Sequence, residues 1–215
     1  MSAKNVAWIL LFGALLTGIT TLLHPVIYNP WDGQTAIQKM ADCSIWTWDH
    51  AVMIGGVILW IGGLAELERI IEAESRTAEI FFITALSLWV LFLTTELSAL
   101  PFLMDVFSKR PDFAVQTVIL SLFTFNLLLG YITIILVWSG IFILGFLMKQ
   151  KKYYPSWLGY LAMAGGLIGA AGSLYAAICP EKGGLIVMIL SSAIPYAWTI
   201  ILPVYLLAKQ PHTLS

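Results

Sequence analysis

Six long apolar segments constrain what this chain can fold into more than any other feature. A helix needs about 20 mainly apolar residues to cross about 30 Å of hydrocarbon. Segments of this kind cover residues 6–23, 50–64, 80–103, 114–148, 157–178 and 185–208, and Trp46 and Trp48 lengthen the second. We therefore predict an all-α integral membrane bundle of six transmembrane helices. Residues 1–215 then form a single transmembrane domain, a multi-pass protein of the cell membrane.

Composition excludes the main alternatives to a membrane protein. Hydrophobic residues make up 60% of the chain and charged residues only 11%, against about 25% charged in soluble domains. A soluble fold could not bury so much apolar surface. The formal net charge of -1 gives no basic patch of the kind that nucleic-acid binding requires. We expect the lipid bilayer as a partner and no nucleic acid.

Two of the segments allow more than one interpretation: 114–148 could be one helix or two, and 6–23 could be a retained helix or a signal peptide. The stretch 114–148 is too short for two spans and a turn, so we predict one tilted or protruding helix whose start is set by Pro111. The first segment ends in Leu22-Leu23-His24-Pro25, which offers no small-x-small cleavage site. We therefore predict a retained helix rather than a signal peptide.

Lysine and arginine in the short loops predict the orientation. With both termini cytoplasmic, the inner side carries seven such residues and the outer side four. The inner set is Lys4, Arg69, Arg76, Lys149, Lys151, Lys152 and Lys209, and the outer set is Lys39, Lys109, Arg110 and Lys182. We therefore predict a cytoplasmic N-terminus and C-terminus. The loop 24–45 is then external, and Trp31, Trp46 and Trp48 in and beside it are typical of an interfacial aromatic belt.

Small residues indicate where helices pack closely, because lipid-embedded helices associate through close backbone approach. The fifth segment places Gly165, Gly169, Ser173 and Ala177 at every fourth position. This face either packs within the bundle or joins two copies in a homo-oligomer. The second segment has two glycine pairs one heptad apart, Gly55-Gly56 and Gly62-Gly63.

Glu96 is the one carboxylate clearly inside a predicted span. It lies about two turns before the outer end of the third helix, roughly 10 Å deep at 1.5 Å per residue. Ionisable groups inside a bilayer are rare and are functional candidates by default. Glu96 therefore either belongs to a ligand site or only fixes two helices through hydrogen bonds. In both cases we expect its side chain to face the bundle interior.

Two of the three histidines lie near the predicted outer interface. His24 ends the first helix and His50 begins the second, with Asp49 beside it to orient the ring or accept its proton. Two histidines and a carboxylate on neighbouring helices would suit a divalent metal, and paired histidines also ligate haem iron. The alternative is that each histidine only anchors a helix end. His212 lies in the polar C-terminal tail, where we expect it to be solvated.

Further polar residues lie at comparable or slightly greater depth in the fourth and sixth segments. Asn126 is near the middle of the fourth, and Ser192, Tyr196 and Thr199 share one face of the sixth beside Pro195. Such groups line a cavity or make interhelical hydrogen bonds. Together they concentrate polarity in the outer half of the bundle, while the inner half is nearly pure Leu, Ile, Gly and Trp. We expect any ligand site in the outer half.

The two cysteines, Cys43 and Cys179, both fall on the predicted outer side, where disulfides persist. Two cysteines give little spacing information, so the sequence does not decide whether a disulfide joins them.

The helix end Leu22-Leu23-His24-Pro25, followed by Trp46-Thr47-Trp48-Asp49-His50, resembles a broad group of bacterial six-helix membrane proteins similar to the DUF4386 family. Pro155-Ser156-Trp157-Leu158 resembles the end of the short basic loop that precedes their fifth helix. The resemblance implies a six-helix fold and no activity.

Three functional interpretations follow. The first is a protein with a polar cavity for a small molecule or cofactor, built on His50, Glu96, Asn126 and Tyr196, with Asp49 and Ser192 nearby. The second is a membrane enzyme or redox subunit in which His24 and His50 ligate a divalent metal or haem. The third is a structural or accessory subunit whose polar residues fix helix packing.

Overall fold

The computed structural model describes residues 1–24, 33–72, 74–151, 154–180 and 182–209. Within these ranges all regular structure is helical and no strand occurs. The helices are α1 (Ala3–Leu23), α2 (Gly33–Asp42), α3 (Trp46–Ile71), α4 (Thr77–Leu97), α5 (Ala99–Lys109), α6 (Phe113–Gln150), α7 (Ser156–Ile178) and α8 (Lys182–Ala208). Six spans are long and apolar enough to cross a membrane, namely α1, α3, α4 with α5, α6, α7 and α8. The predicted six-helix architecture is thereby confirmed.

The fourth span is one continuous helix, as predicted. α6 has 38 residues, about 57 Å at 1.5 Å per residue, so it extends well beyond a hydrocarbon core of about 30 Å. Its start differs from the prediction. The carboxylate of Asp112 accepts a hydrogen bond from the backbone N–H of Ala114 at 2.7 Å, and this side-chain cap rather than Pro111 fixes the first turn.

The third span is interrupted at Ser98, which the sequence did not lead us to expect. α4 ends at Leu97 and α5 begins at Ala99. Pro101 has no backbone N–H, so it cannot donate to the carbonyl of Leu97 four residues earlier. The interruption places Glu96 in the last turn of α4 instead of two turns inside a continuous helix.

The six spans form a closed ring around a small aromatic core. Each packs against its neighbours in chain order, and α8 closes the ring against α1. Trp60 of α3 lies at the centre, 1% exposed. Its ring centroid is 5.8 Å from that of Trp89, 5.9 Å from Trp138 and 5.6 Å from Tyr196. These edge-on contacts are favourable aromatic geometry and join α3 to α4, α6 and α8.

The outer faces of the ring are apolar, as a bilayer requires. Large side chains such as Trp8 on α1, Ile80 on α4 and Leu190 on α8 are 55%, 64% and 67% exposed. Hydrocarbon solvent removes the cost that water would impose on these faces. The fold is therefore that of a multi-pass membrane protein.

The glycines of α7 are used for packing inside the chain. A Cβ on Gly166 would lie 2.6 Å from the backbone of α6, and one on Gly165 would lie 3.1 Å from the backbone nitrogen of Pro195 on α8. A Cβ on Gly169 would lie similarly close to the side chains of Trp138 and Pro195. The Gly165/Gly169 face is thus occupied by α6 and α8 and is not available to a second copy. The intramolecular alternative is confirmed.

One end of the bundle, the His24 end, contains His24, the start of α3 and the α4–α5 break. The helix α2, in a segment that was predicted to be a loop, packs against this end. Ile37 and Met40 of α2 pack with Leu100 of α5 and with Ile119 and Phe123 of α6. Cys43 and Cys179 are both free thiols in the structure, so no disulfide joins them.

The opposite end, the Glu68 end, holds a second buried carboxylate. Glu68 is fully buried and accepts hydrogen bonds from the Ser75 hydroxyl at 2.7 Å, the Ala78 N–H at 3.1 Å and the Glu79 N–H. It caps the N-terminus of α4 across the α3–α4 turn. The expectation that this half contains almost no polar residue is therefore wrong, because α3 continues to Ile71 and carries Glu68 inward.

Candidate metal centre and cavity

Small residues set the register between α1 and α3. Added Cβ atoms would lie 2.2 Å from the nitrogen of Trp60 at Gly13, 2.9 Å from the nitrogen of Thr17 at Gly56, and 3.0 Å from the Cα of Leu10 at Gly63. Leu10, Gly13 and Thr17 of α1 therefore lie against Gly63, Trp60 and Gly56 of α3, in that order. The residue numbers rise along α1 as they fall by the same amount along α3, as in two antiparallel helices.

Continuing this register from the Thr17/Gly56 pair by seven residues, about two helical turns, reaches His24 on one chain segment and Asp49 on the other. The close approach of the two backbones therefore brings the C-terminal cap of α1 against the first turn of α3. Side-chain donors that are 25 residues apart in the sequence meet at the His24 end of the bundle.

His24, Asp49 and His50 form one cluster at this place. One nitrogen of each imidazole and one carboxylate oxygen of Asp49 all lie within 4.8 Å of one another. The ring centroids of His24 and His50 are 5.1 Å apart. Among the described residues this is the one group of three or more histidine, cysteine or acidic side chains with metal-binding geometry. His212, the third histidine, lies outside the described residues.

The orientation of His50 is fixed by Trp46. Nδ1 of His50 donates a hydrogen bond to the Trp46 carbonyl at 2.7 Å, and the two rings stack with centroids 4.3 Å apart. Because a carbonyl only accepts, Nδ1 carries the proton and Nε2 keeps its lone pair. A backbone carbonyl bound to the distal nitrogen is the usual support for a metal-ligating histidine.

Asp49 is buried without a hydrogen-bond donor. Its residue is 5% exposed, and neither carboxylate oxygen has a partner among the described residues. Burying an ionised carboxylate without compensation is strongly unfavourable. Its position in the first turn of α3 provides partial compensation through the positive end of the helix. A cation between Asp49 and the two imidazoles would complete it.

A cavity of about 300 Å³ extends from this cluster into the bundle. His24 and His50 are among its lining residues, and helices α1, α3, α4, α6 and α8 contribute the walls. The remaining lining residues are Thr21, Trp46, Met53, Trp89, Phe92, Leu93, Glu96, Phe123, Asn126, Leu127, Gly130, Tyr131, Ile134, Leu185, Met188 and Ile189. Most of the surface that a ligand would meet is therefore aliphatic or aromatic.

Glu96 and Asn126 form a polar pair in the cavity wall. The Asn126 amide donates to Oε1 of Glu96 at 2.8 Å. Glu96 is 6% exposed and Asn126 2%, so the prediction that Glu96 faces the interior is confirmed. The second oxygen of Glu96 and the amide oxygen of Asn126 have no partner among the described residues. The cavity wall thus contains two buried oxygen atoms that have no hydrogen-bond partner among the described residues.

Trp46 was predicted to lie in an aromatic belt, and this prediction is wrong. Its residue is 6% exposed, and its indole N–H donates to the backbone carbonyl of Glu96 at 2.7 Å. That carbonyl belongs to the last turn of α4, where no intrahelical donor remains. Trp48, in contrast, is 76% exposed, as a belt residue would be. Trp31 lies outside the described residues.

Ser192 and Tyr196 lie apart from the cavity lining. Ser192 accepts a hydrogen bond from the Trp138 indole at 2.9 Å, and the Tyr196 hydroxyl donates to the carbonyl of Ala14 on α1. Thr199 bonds to the carbonyl of Tyr196, one turn back on the same helix, at 2.7 Å. These side chains make interhelical or local hydrogen bonds, while the structure brings His24, Asp49, His50, Glu96 and Asn126 to one end of the bundle.

Two polar aromatic residues of the cavity, Trp89 and Tyr131, were not predicted from the sequence. The Trp89 indole nitrogen and the Tyr131 hydroxyl are buried without a partner among the described residues. In the sequence they sit in apolar runs and cannot be told from aromatic residues that face lipid. Trp89 lies seven residues before Glu96 and therefore on the same helix face, which was a signal available for it, whereas Tyr131, five residues after Asn126, had no such signal.

The fold and the cluster define this chain as a multi-pass membrane protein with a candidate His/Asp metal site at one end of its bundle. No protein-family model, curated protein or solved structure matches the chain. The geometry of this site is therefore the basis on which a function can be proposed.

Proposed function

We propose that the protein binds one divalent transition-metal ion through His24, Asp49 and His50 and presents it to a small-molecule cavity. The observation that carries this proposal is the convergence of three donor atoms within 4.8 Å at a buried carboxylate that has no hydrogen-bond partner among the described residues. An ion there would satisfy the Asp49 oxygens and use the lone pair that the Trp46 carbonyl leaves on Nε2 of His50.

The donor set indicates the kind of metal. Two imidazoles and one carboxylate suit zinc, iron, cobalt, nickel or copper better than magnesium or calcium, which prefer oxygen ligands. Ligands 2.0–2.1 Å from a tetrahedral ion are about 3.3 Å from one another. Side-chain movements of about 1 Å would therefore close the cluster around an ion.

Three protein ligands leave a coordination position open, as in catalytic rather than structural zinc sites. His24 and His50 line the cavity and Asp49 does not, so the open position would face the cavity. A bound ion there would act as a Lewis acid toward water or a ligand in the cavity. This supports the interpretations of a ligand-binding cavity and of a metal site as parts of one site.

Haem suits the cluster less well than a bare ion. The Asp49 carboxylate lies within 4.8 Å of both imidazoles, which would leave little room between the two rings for a macrocycle. The cavity of about 300 Å³ is also at the lower limit for ligand pockets. We therefore propose a mononuclear, non-haem centre.

The orientation and location belong to the same proposal. We infer from the lysine and arginine distribution that both termini are cytoplasmic, so the metal site would open toward the outside of the cell membrane. The similarity to the DUF4386 family likewise stays a proposal, based on the motifs around His24, His50 and Trp157.

Metal analysis and an absorption spectrum of the purified protein test the function. We expect close to one equivalent of a first-row transition metal and no haem absorption band. The His24→Ala/His50→Ala variant should lose the metal, while His212→Ala, a control that removes the third histidine, should retain it. Protein without bound metal that also fails to bind added zinc or cobalt would contradict the proposal.

A further inference from the structure

The wall of the cavity combines one buried carboxylate with five aromatic residues besides the two histidines. Beyond His24 and His50, the lining contains Trp46, Trp89, Phe92, Phe123 and Tyr131. Aromatic faces carry negative potential and attract cations, most strongly when water is excluded. Rings of this kind from α3, α4 and α6 surround the same volume as Glu96.

Glu96 has the hydrogen-bonding capacity for a ligand. Asn126 satisfies one of its oxygens at 2.8 Å, while the other oxygen and the Asn126 amide oxygen have no partner among the described residues. With Glu96 ionised, both unmet groups are acceptors, so they require a donor. Among the described residues that line the cavity there is no lysine or arginine, so these residues supply no permanent cation to Glu96.

We propose that this cavity binds a lipophilic organic ammonium ion, whose N–H donates to the second oxygen of Glu96. The carbon skeleton would pack among the aromatic and aliphatic walls, and the charge would lie against the ring faces. A neutral apolar molecule would fill the same space but would leave the Glu96 and Asn126 acceptors unpaired. The volume of about 300 Å³ limits the ligand to a small amine.

This inference goes beyond the metal centre, although the two share a cavity. Glu96 and Asn126 are not members of the His24, Asp49 and His50 cluster. Ammonium binding is therefore expected in metal-free protein too, and the two proposals can fail separately.

The experiment compares two probes of the same shape on chelator-treated protein in lipid nanodiscs. The dimethylbenzylammonium ion carries a charged N–H where isobutylbenzene carries a neutral C–H. Binding is followed by the fluorescence of the cavity tryptophans and checked by calorimetry. We expect the ammonium ion to bind at least tenfold more tightly than the hydrocarbon.

Variants then assign the binding to Glu96. Glu96→Gln keeps the shape of the side chain and should weaken ammonium binding at least tenfold while leaving isobutylbenzene binding within twofold. Asp105→Asn is the control, because Asp105 is an exposed carboxylate paired with Lys109 on α5, and it should change neither affinity.

Equal affinity of the two probes for the unmodified protein would overturn the proposal, and so would an ammonium affinity that Glu96→Gln leaves intact. The probe comparison needs no variant, so it decides the question even if Glu96→Gln does not fold. Loss of ammonium binding on metal loading alone would show competition between two sites and would support a common cavity. Failure to bind cobalt or zinc, with ammonium binding intact, would overturn only the metal proposal.

Discussion

His50 is held in a single orientation by Trp46. The hydrogen bond from Nδ1 to the Trp46 carbonyl is 2.7 Å long, and the ring centroids are 4.3 Å apart. The same tryptophan donates its indole N–H to the carbonyl of Glu96. One residue thus supports the candidate metal ligand and anchors the end of α4 that carries the cavity carboxylate.

The Trp46 indole N–H should stabilise the fold measurably. Trp46→Phe keeps an aromatic ring against His50 but leaves the buried Glu96 carbonyl without a donor, which costs about 1–3 kcal/mol. We expect a lower midpoint in thermal unfolding of the detergent-solubilised protein. Trp48→Phe is the matched control at an exposed position, and an equal loss in both variants would contradict the assigned role.

The close approach of α1 and α3 should be sensitive to single methyl groups. Gly13→Ala would place a Cβ 2.2 Å from the Trp60 backbone, and Gly56→Ala would place one 2.9 Å from the Thr17 backbone. Overpacking of this kind costs about 1–3 kcal/mol. Because the register also aligns His24 with Asp49, these variants should weaken metal binding as well.

Gly55→Ala provides the control, since a Cβ at Gly55 meets nothing within 4 Å. It removes a helix-interior glycine and should be neutral or slightly stabilising. Thermal unfolding and zinc titration of the three variants side by side check this. Similar behaviour of Gly55→Ala and Gly56→Ala would refute the register.

Glu68 should contribute more to stability than its partly exposed neighbour Glu66. Glu68→Ala removes a buried carboxylate that accepts three hydrogen bonds at the start of α4, and we expect a loss of about 1–3 kcal/mol. Glu66→Ala removes an exposed ion pair with Arg69, and such pairs contribute little. Unfolding midpoints of the two variants give the comparison, and a larger effect at Glu66 would contradict the structure.

Metal should stabilise the folded protein by mass action. Zinc at about 100 times its dissociation constant adds about 2.7 kcal/mol to a folded state that alone binds it. We expect this gain in the unmodified protein and in His212→Ala, and its absence in Asp49→Ala. Thermal unfolding with and without zinc measures it. A full gain in Asp49→Ala would remove that carboxylate from the ligand set.

The sequence predicts the number and approximate limits of the spans because bilayer thickness imposes a length that an apolar run either meets or does not. It does not predict the break at Ser98, since the run 80–103 is long and apolar enough for one continuous span, and the effect of Pro101 depends on whether its partner carbonyl finds another donor. The helix α2 was also missed, because two apolar residues of a short segment contact α5 and α6 only in the folded chain.

Part of the candidate site could be predicted from the sequence, because ionisable groups are rare in and beside apolar segments. His24, Asp49 and His50 stand out as ionisable groups beside apolar segments, and Glu96 stands out within one. Their proximity could not be derived, because it depends on which glycine of each pair faces α1. Gly56 and Gly63 face it, while Gly55 and Gly62 do not. Ser192 was included on polarity alone, although it bonds to Trp138 away from the cavity.

A cobalt titration followed by visible absorption tests the central claim most directly. Cobalt(II) reports its ligands through its ligand-field bands, whose intensity rises when coordination falls from six to four or five. We predict saturation at one equivalent with intense bands in the unmodified protein and in His212→Ala, and loss of these bands in His24→Ala, Asp49→Ala and His50→Ala. Weak bands typical of hydrated cobalt, or bands that persist in all three variants, would contradict a metal centre at this site.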